Sequence, residues 1–246
     1  MSVQWLFAGT ILVVFGLMHA SQASAGGGPD ASGYTWQSSA DPGGPAANWV
    51  SVSGAATQVT GLADDNAAAT LLVLPAPFRF YGQDYSALKV GSNGWLAFNT
   101  SVGNIAHCFP LIPTAGGAAD GYLAPLMTDL NFTGAGNIGS VFSEFDGVNN
   151  RFVVSYLNVP FWTNAGPGWT GSNTFQVLLD YRDYSIHFNY QSLSPLTDNG
   201  SCNSDVVVGI ESGSGQVGLA VTADVMPVAP LTIKFYPPAV FANGFE

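Results

Sequence analysis

A chain of 246 residues, 47% hydrophobic and only 9% charged, has the apolar mass for one sizeable core and is not a disordered chain. Its net charge of -11 leaves five Lys and Arg in total, too few to neutralise a nucleic-acid backbone. Thirty glycines and 15 prolines favour short strands joined by turns over helices.

The first predicted element is a helical signal peptide over residues 1–25. Residues 5–18 form an apolar run too short and too soon interrupted for a stable membrane span, and Ala23-Ser24-Ala25 supplies a small-x-small cleavage site before Gly26. No Lys or Arg precedes the run, so an uncleaved anchor is the alternative. No later stretch approaches the length of a transmembrane helix, and the mature chain is expected to carry no span. Residues 26–33, a Gly, Pro and Ser stretch that also holds Asp30 and Ala31, read as a mobile leader.

Strands are then predicted around 34–37, 48–51, 70–74, 78–81, 87–92 and 95–99. The sharpest local signal is Asn93-Gly94 between apolar runs, because both central residues of a type I′ turn need positive φ. A two-residue turn there pairs Ser92 with Trp95, Gly91 with Leu96, Val90 with Ala97 and Lys89 with Phe98. It places Leu88, Val90, Trp95 and Ala97 on one face, and Leu96 and Phe98 on the other. Apolar groups on both faces predict an inner strand pair covered on each side, a core element remote from any activity.

A turn-rich loop over 101–120 carries Cys108, and further strands are expected near 122–127, 140–145, 151–159, 174–181, 185–191, 206–211, 217–222 and 231–236. Phe175, Val177, Leu179 and Tyr181, and then Ile186, Phe188 and Tyr190, recur with a period of two, which gives each strand one core face and one wetter face. About a dozen short strands separated by turn signals describe an all-β protein, an antiparallel β-sandwich forming one domain over 34–236 and followed by a tail over 237–246.

Export makes Cys108 and Cys202 candidates for a disulfide, which in the chain-entropy picture contributes about 4 to 5 kcal/mol. A metal site of His107, Cys108 and Cys202 has the wrong spacing for zinc. No Gly-x-Ser-x-Gly occurs, and His187 falls on the polar side of its strand, as a surface histidine would. Asp64, Asp65, Asp129, Glu144 and Glu211 qualify by type as glycosidase carboxylates, and acidic turns and strand ends account for them equally.

Two binding features have more support. Trp162 and Trp169 stand in the Gly-rich segment 161–171, where exposed rings would stack on sugars or fold back to cap the sandwich. Asp64 and Asp65, with Asn66 and the Asp129 segment, offer oxygen ligands for calcium, although a tight turn after a strand uses the same residues.

The order Gly33-Tyr34-Thr35-Trp36, Asp41-Pro42-Gly43-Gly44-Pro45, Trp49, Asp64-Asp65, Phe78-Arg79-Phe80-Tyr81-Gly82 and Ser92-Asn93-Gly94-Trp95-Leu96-Ala97-Phe98 resembles the NIDO-like β modules of bacterial secreted and surface proteins. Leu123-Ala124-Pro125, Thr128-Asp129-Leu130, Arg151-Phe152-Val153-Val154, 173–179 and Val208-Gly209-Ile210-Glu211 continue the likeness over nearly all of 33–236. The chain departs from the pattern in having Asp183-Tyr184 where a turn glycine is usual, and in the less acidic Met127-Thr128-Asp129.

The resemblance implies an accessory module of adhesive, matrix or multidomain exported proteins, with no catalytic residue to carry over. The ending Phe241-Ala242-Asn243-Gly244-Phe245-Glu246 resembles short tails on secreted proteins of Gram-negative bacteria. The expectation is therefore a secreted, non-catalytic binding or adhesion module whose partner is an extracellular glycan or protein. The alternatives are a carbohydrate-binding module using Trp162 and Trp169, and a secreted hydrolase.

Overall fold

The computed structural model describes residues 26–103, 105, 109–114, 120–196 and 205–239. The signal peptide, the proposed Cys108–Cys202 disulfide, His107 and the hexapeptide ending lie outside the described residues. Among those described, the strands are β1 (Thr35–Ser38), β2 (Thr57–Val59), β3 (Leu72–Phe80), β4 (Gln83–Val90), β5 (Leu96–Ala97), β6 (Tyr122–Thr128) and β7 (Ser140–Asp146). They continue with β8 (Arg151–Trp162), β9 (Trp169–Asp180), β10 (Ile186–Ser192), β11 (Val206–Glu211), β12 (Gly218–Ala223) and β13 (Leu231–Tyr236). No helix among the described residues is long and apolar enough to cross a membrane.

Two antiparallel sheets form a sandwich, one of seven strands in the order β1-β13-β10-β9-β8-β7-β2 and one of six in the order β12-β11-β6-β5-β4-β3. The alternating residues of β9 and β10 do what their period predicts: Phe175, Val177, Leu179, Ile186, Phe188 and Tyr190 join the core between the sheets. Across that core the Tyr190 hydroxyl donates to the Pro125 carbonyl (2.5 Å). The Tyr156 hydroxyl reaches the carbonyls of Gly91 (3.0 Å) and Trp95 (3.1 Å).

Those last contacts belong to a hairpin whose register differs from the expected one by a residue. Val90 pairs with Leu96 and Lys89 with Ala97, and the Gly91 N–H donates to the Trp95 carbonyl at 2.9 Å. The loop is thus three residues, Ser92-Asn93-Gly94, with only Gly94 left-handed (φ 70°), the arrangement in which a type I turn ends on a glycine bulge. A Cβ at Gly94 would lie 2.0 Å from the Leu126 carbonyl oxygen, so close packing as well as φ selects glycine. A shift of one residue exchanges the faces of one strand. Leu88, Val90, Leu96 and Phe98 face the inter-sheet core, whereas Trp95 and Ala97 belong to a second cluster on the outer face of the six-stranded sheet.

Both outer faces are covered, as the two-faced hairpin predicts for its own sheet. Val102, Ile105, Phe109 and Ile112 from the loop after β5 pack on Trp95, Tyr122, Met127 and Val207. On the seven-stranded sheet the expected strand at 48–51 is instead a strap lying outside the ladder. The Val50 N–H donates to Gln176 Oε1 (2.9 Å), Gln176 Nε2 to the Val50 carbonyl (3.0 Å), Asn189 Nδ2 to the Asn48 carbonyl (2.7 Å), and the Asn48 N–H to Thr232 Oγ1 (3.1 Å).

Other boundaries moved for local reasons. Expected strands at 70–74 and 78–81 fuse into β3, which tolerates Pro75 and Pro77 because it is an edge strand. The leader is not loose: Gly27 and Trp36 exchange backbone hydrogen bonds (3.1 and 2.9 Å), and Asp30 accepts the Tyr81 hydroxyl at 2.6 Å. A Cβ at Gly27 would lie 2.3 Å from Trp36 Nε1, so the indole requires a glycine beneath it.

Candidate functional site

At one end of the sandwich the chain gathers acidic and aromatic residues that are far apart in sequence. Asp64 and Asp65 lie in the turn after β2, Asp129 just beyond β6, and Trp162 at the end of β8. A carboxylate oxygen from each Asp lies within 4.8 Å of the others. The same three residues and Trp162 line one cleft of about 230 Å³.

Backbone geometry explains how they meet. Asp65 adopts a left-handed φ of 45°, and Asn66 closes its turn by accepting the Ala63 N–H through Oδ1 (2.8 Å) and donating to the Gly61 carbonyl (2.8 Å). An isolated bridge joins Asp64 to Asn131, and another joins Leu130 to Phe161. The Trp162 N–H donates to the Asp129 carbonyl at 2.9 Å, bringing the end of β8 onto the Asp129 segment.

The buried side chain of Asn93 stands behind this arrangement. Its Nδ2 donates to Asp65 Oδ1 (2.7 Å) and to the Ile105 carbonyl (3.0 Å), and its Oδ1 accepts the Leu130 N–H (3.1 Å). The hairpin expected to be remote from activity therefore positions the cleft. Nothing local to Asn93-Gly94 signals this, since the turn motif accounts for the asparagine without its side-chain partners.

The electrostatics are those of crowded like charges. Partial burial, and then the charge of Asp65, push the Asp64 carboxyl above its ordinary range, while the Asp65 N–H opposes the shift. Every Lys and Arg of the chain is engaged elsewhere: Arg79 with Asp84, Lys89 with the Val102 carbonyl, Arg151 with Asp146, Arg182 with Asp180 and Lys234 with Asp183. Three carboxylates offering oxygen donors within 4.8 Å of one another suit a hard cation of the calcium type.

The remaining candidates are dispersed. Trp169 pairs with Trp162 across the β8–β9 hairpin, but its indole donates to the Ala135 carbonyl (3.3 Å) and packs on Gly134, so only Trp162 lines the cleft. Glu144 accepts the Ser53 hydroxyl at 2.5 Å, and Glu211 is buried on the outer face of the six-stranded sheet.

His187 is less of a surface residue than its strand position suggests. Ser185 Oγ lies 3.1 Å from His187 Nε2, the spacing of a nucleophile and its base, yet Ser185 is wholly buried and His187 Nδ1 has no partner. Burial, aided by the charge of Lys234, lowers the imidazole to about 4, so it is neutral at neutral pH.

A family model described as NIDO related matches residues 44–234. No curated protein and no solved structure matches the chain.

Proposed function

The chain belongs to the NIDO-related family, and from that premise we propose that it is an exported, non-catalytic binding or adhesion module whose ligand site is the cleft of Asp64, Asp65, Asp129 and Trp162. One observation carries the reading: three carboxylates and an indole from separate segments converge on a single cleft. The chemistry suits an extracellular glycan. A sugar ring stacks on the Trp162 face, and a calcium-type cation held by the carboxylates bridges to its hydroxyls. The rigid scaffold supports this role, because Asn93 and the bridges at Asp64 and Leu130 fix the cleft before any ligand arrives.

The test is a glycan and matrix-protein binding screen on the mature protein, with calcium or with chelator. Trp162→Ala and Asp129→Asn are each expected to weaken a detected interaction at least about tenfold, the loss of one good contact. Trp169→Ala is expected to leave it intact. Binding that survives both Trp162→Ala and Asp129→Asn in folded protein, as judged by thermal melting, overturns the assignment.

A further inference from the structure

A second group of acidic oxygens lies under the cover of the six-stranded sheet, away from the cleft. Glu211, the last residue of β11, is 1% exposed, and its Oε1 accepts the Thr114 N–H at 2.7 Å. Asp120, two residues before Tyr122, has a buried Oδ1 with no hydrogen-bond partner. Tyr122 at the start of β6 is fully buried, and its hydroxyl also has no partner although the charges of both Glu211 and Asp120 act on it. Gly215, with φ 66°, closes a turn over this gap; a Cβ there would lie 2.4 Å from Asp120 Oδ1 and 3.0 Å from the Thr114 carbonyl oxygen. Both oxygens therefore border the same small space.

Neighbouring carboxylates out of water are relieved either by taking up a proton or by a positive charge beside them. No Lys or Arg supplies that charge, because all five are engaged elsewhere. We propose that Glu211, Asp120 and the Thr114 carbonyl hold one divalent cation of the calcium type, with the Tyr122 hydroxyl completing the oxygen lining. Hard oxygen ligands of mixed carboxylate and carbonyl type, in an exported protein, fit calcium and exclude metals that need nitrogen or sulfur. Burial, and then the charge of Asp120, raise the Glu211 carboxyl to about 7, against which the Thr114 N–H pulls down; a bound cation draws it back into the ordinary carboxylate range. The ion ties the loop bearing Thr114 to β6 and β11, and so fastens the apolar cover of this sheet. The site is independent of the proposed ligand cleft.

The experiment uses the mature, full-length protein carrying Asp64→Asn and Asp129→Asn, which leaves the cleft one of its three carboxylates and so disables it as a cation site. After treatment with chelator, its melting temperature is measured at about pH 7.5 with and without calcium at about 5 mM, well above extracellular affinities. The expected result is a rise of about 5 °C, together with terbium emission sensitised by Tyr122. Adding Glu211→Gln or Asp120→Asn abolishes both signals. Glu211→Gln also removes a buried charge, so it melts at or above its calcium-free parent, which separates lost binding from misfolding. Calcium that leaves the parent's melting temperature unchanged overturns the proposal, as does a response that persists in Glu211→Gln. Stabilisation by acid alone, with no response to calcium, overturns it in favour of a shared proton.

Discussion

The two outer faces of the sandwich are both buried under irregular chain, and they are buried by opposite means. On the seven-stranded sheet, Ser155, Gln176, Asn189 and Thr232 stand side by side in the pairing register across β8, β9, β10 and β13. Their amides and hydroxyls bind one another and the backbone of the strap at Asn48 and Val50. On the six-stranded sheet the cover is Val102, Ile105, Phe109 and Ile112 on Trp95, Tyr122, Met127 and Val207, with Glu211 reaching across to one backbone N–H. A polar cover is close to all-or-none, because each lost partner strands another buried polar group. An apolar cover weakens gradually with the area removed from contact.

The largest effect is expected at Gln176. It joins both backbone groups of Val50 to Ser155 and Asn189, so Gln176→Ala leaves several buried groups unpaired at once. Chemical unfolding is expected to show a loss of about 3–4 kcal/mol. A loss below about 1 kcal/mol would mean that the strap does not depend on the ladder and would break the comparison. Ile112→Ala tests the other face. Ile112 is 8% exposed and packs on Gly209 and Gly218, and its truncation is expected to cost about 2 kcal/mol. Hydrogen exchange should rise in the covering loop and at β11 while the β8–β9 ladder keeps its protection. Uniform loss of protection across both sheets would show that the two covers are not separable.

The same contrast explains which parts of the molecule were legible in its sequence. Strands such as β11 and β13 announce themselves through runs of β-branched and aromatic residues, and the period of β9 and β10 follows from one face meeting the core. Residues 48–51 read as a strand in the sequence, but their partners are side chains 126 to 184 residues away. Asn93-Gly94 fits both a two-residue and a three-residue loop; packing of Gly94 against the Leu126 carbonyl and the reach of the Tyr156 hydroxyl decide between them. Asp64, Asp65, Asp129 and Trp162 were visible by residue type alone. That they share one cleft while Trp169 turns away depends on the bridges at Asn131 and Phe161, which no local pattern encodes.

The smallest predicted effect is the most direct test of the contrast, because the two faces respond to pH with opposite signs. Glu211 has a folded value of about 7, above its ordinary 4.5, so its contribution to stability is fully present below about 4.5 and is lost as pH rises through about 7. His187, on the outer side of the seven-stranded sheet, has a folded value of about 4 against an ordinary 6.5. Its contribution is fully present above about 6.5 and is lost as pH falls through about 4. Between about 4.5 and 6.5 the two slopes oppose each other, and single substitutions separate them. In calcium-free buffer, relative to the parent protein so that other carboxylates cancel, Glu211→Gln should lose about 2–4 °C in melting temperature on going from pH 6.5 to 4.5. His187→Gln should gain a similar amount over the same range. Repeating the series with calcium should flatten the Glu211 arm alone, because an ion at that carboxylate removes its tendency to take up a proton while the imidazole on the opposite face is untouched. Equal slopes of the same sign in both variants would refute the opposition of the two faces.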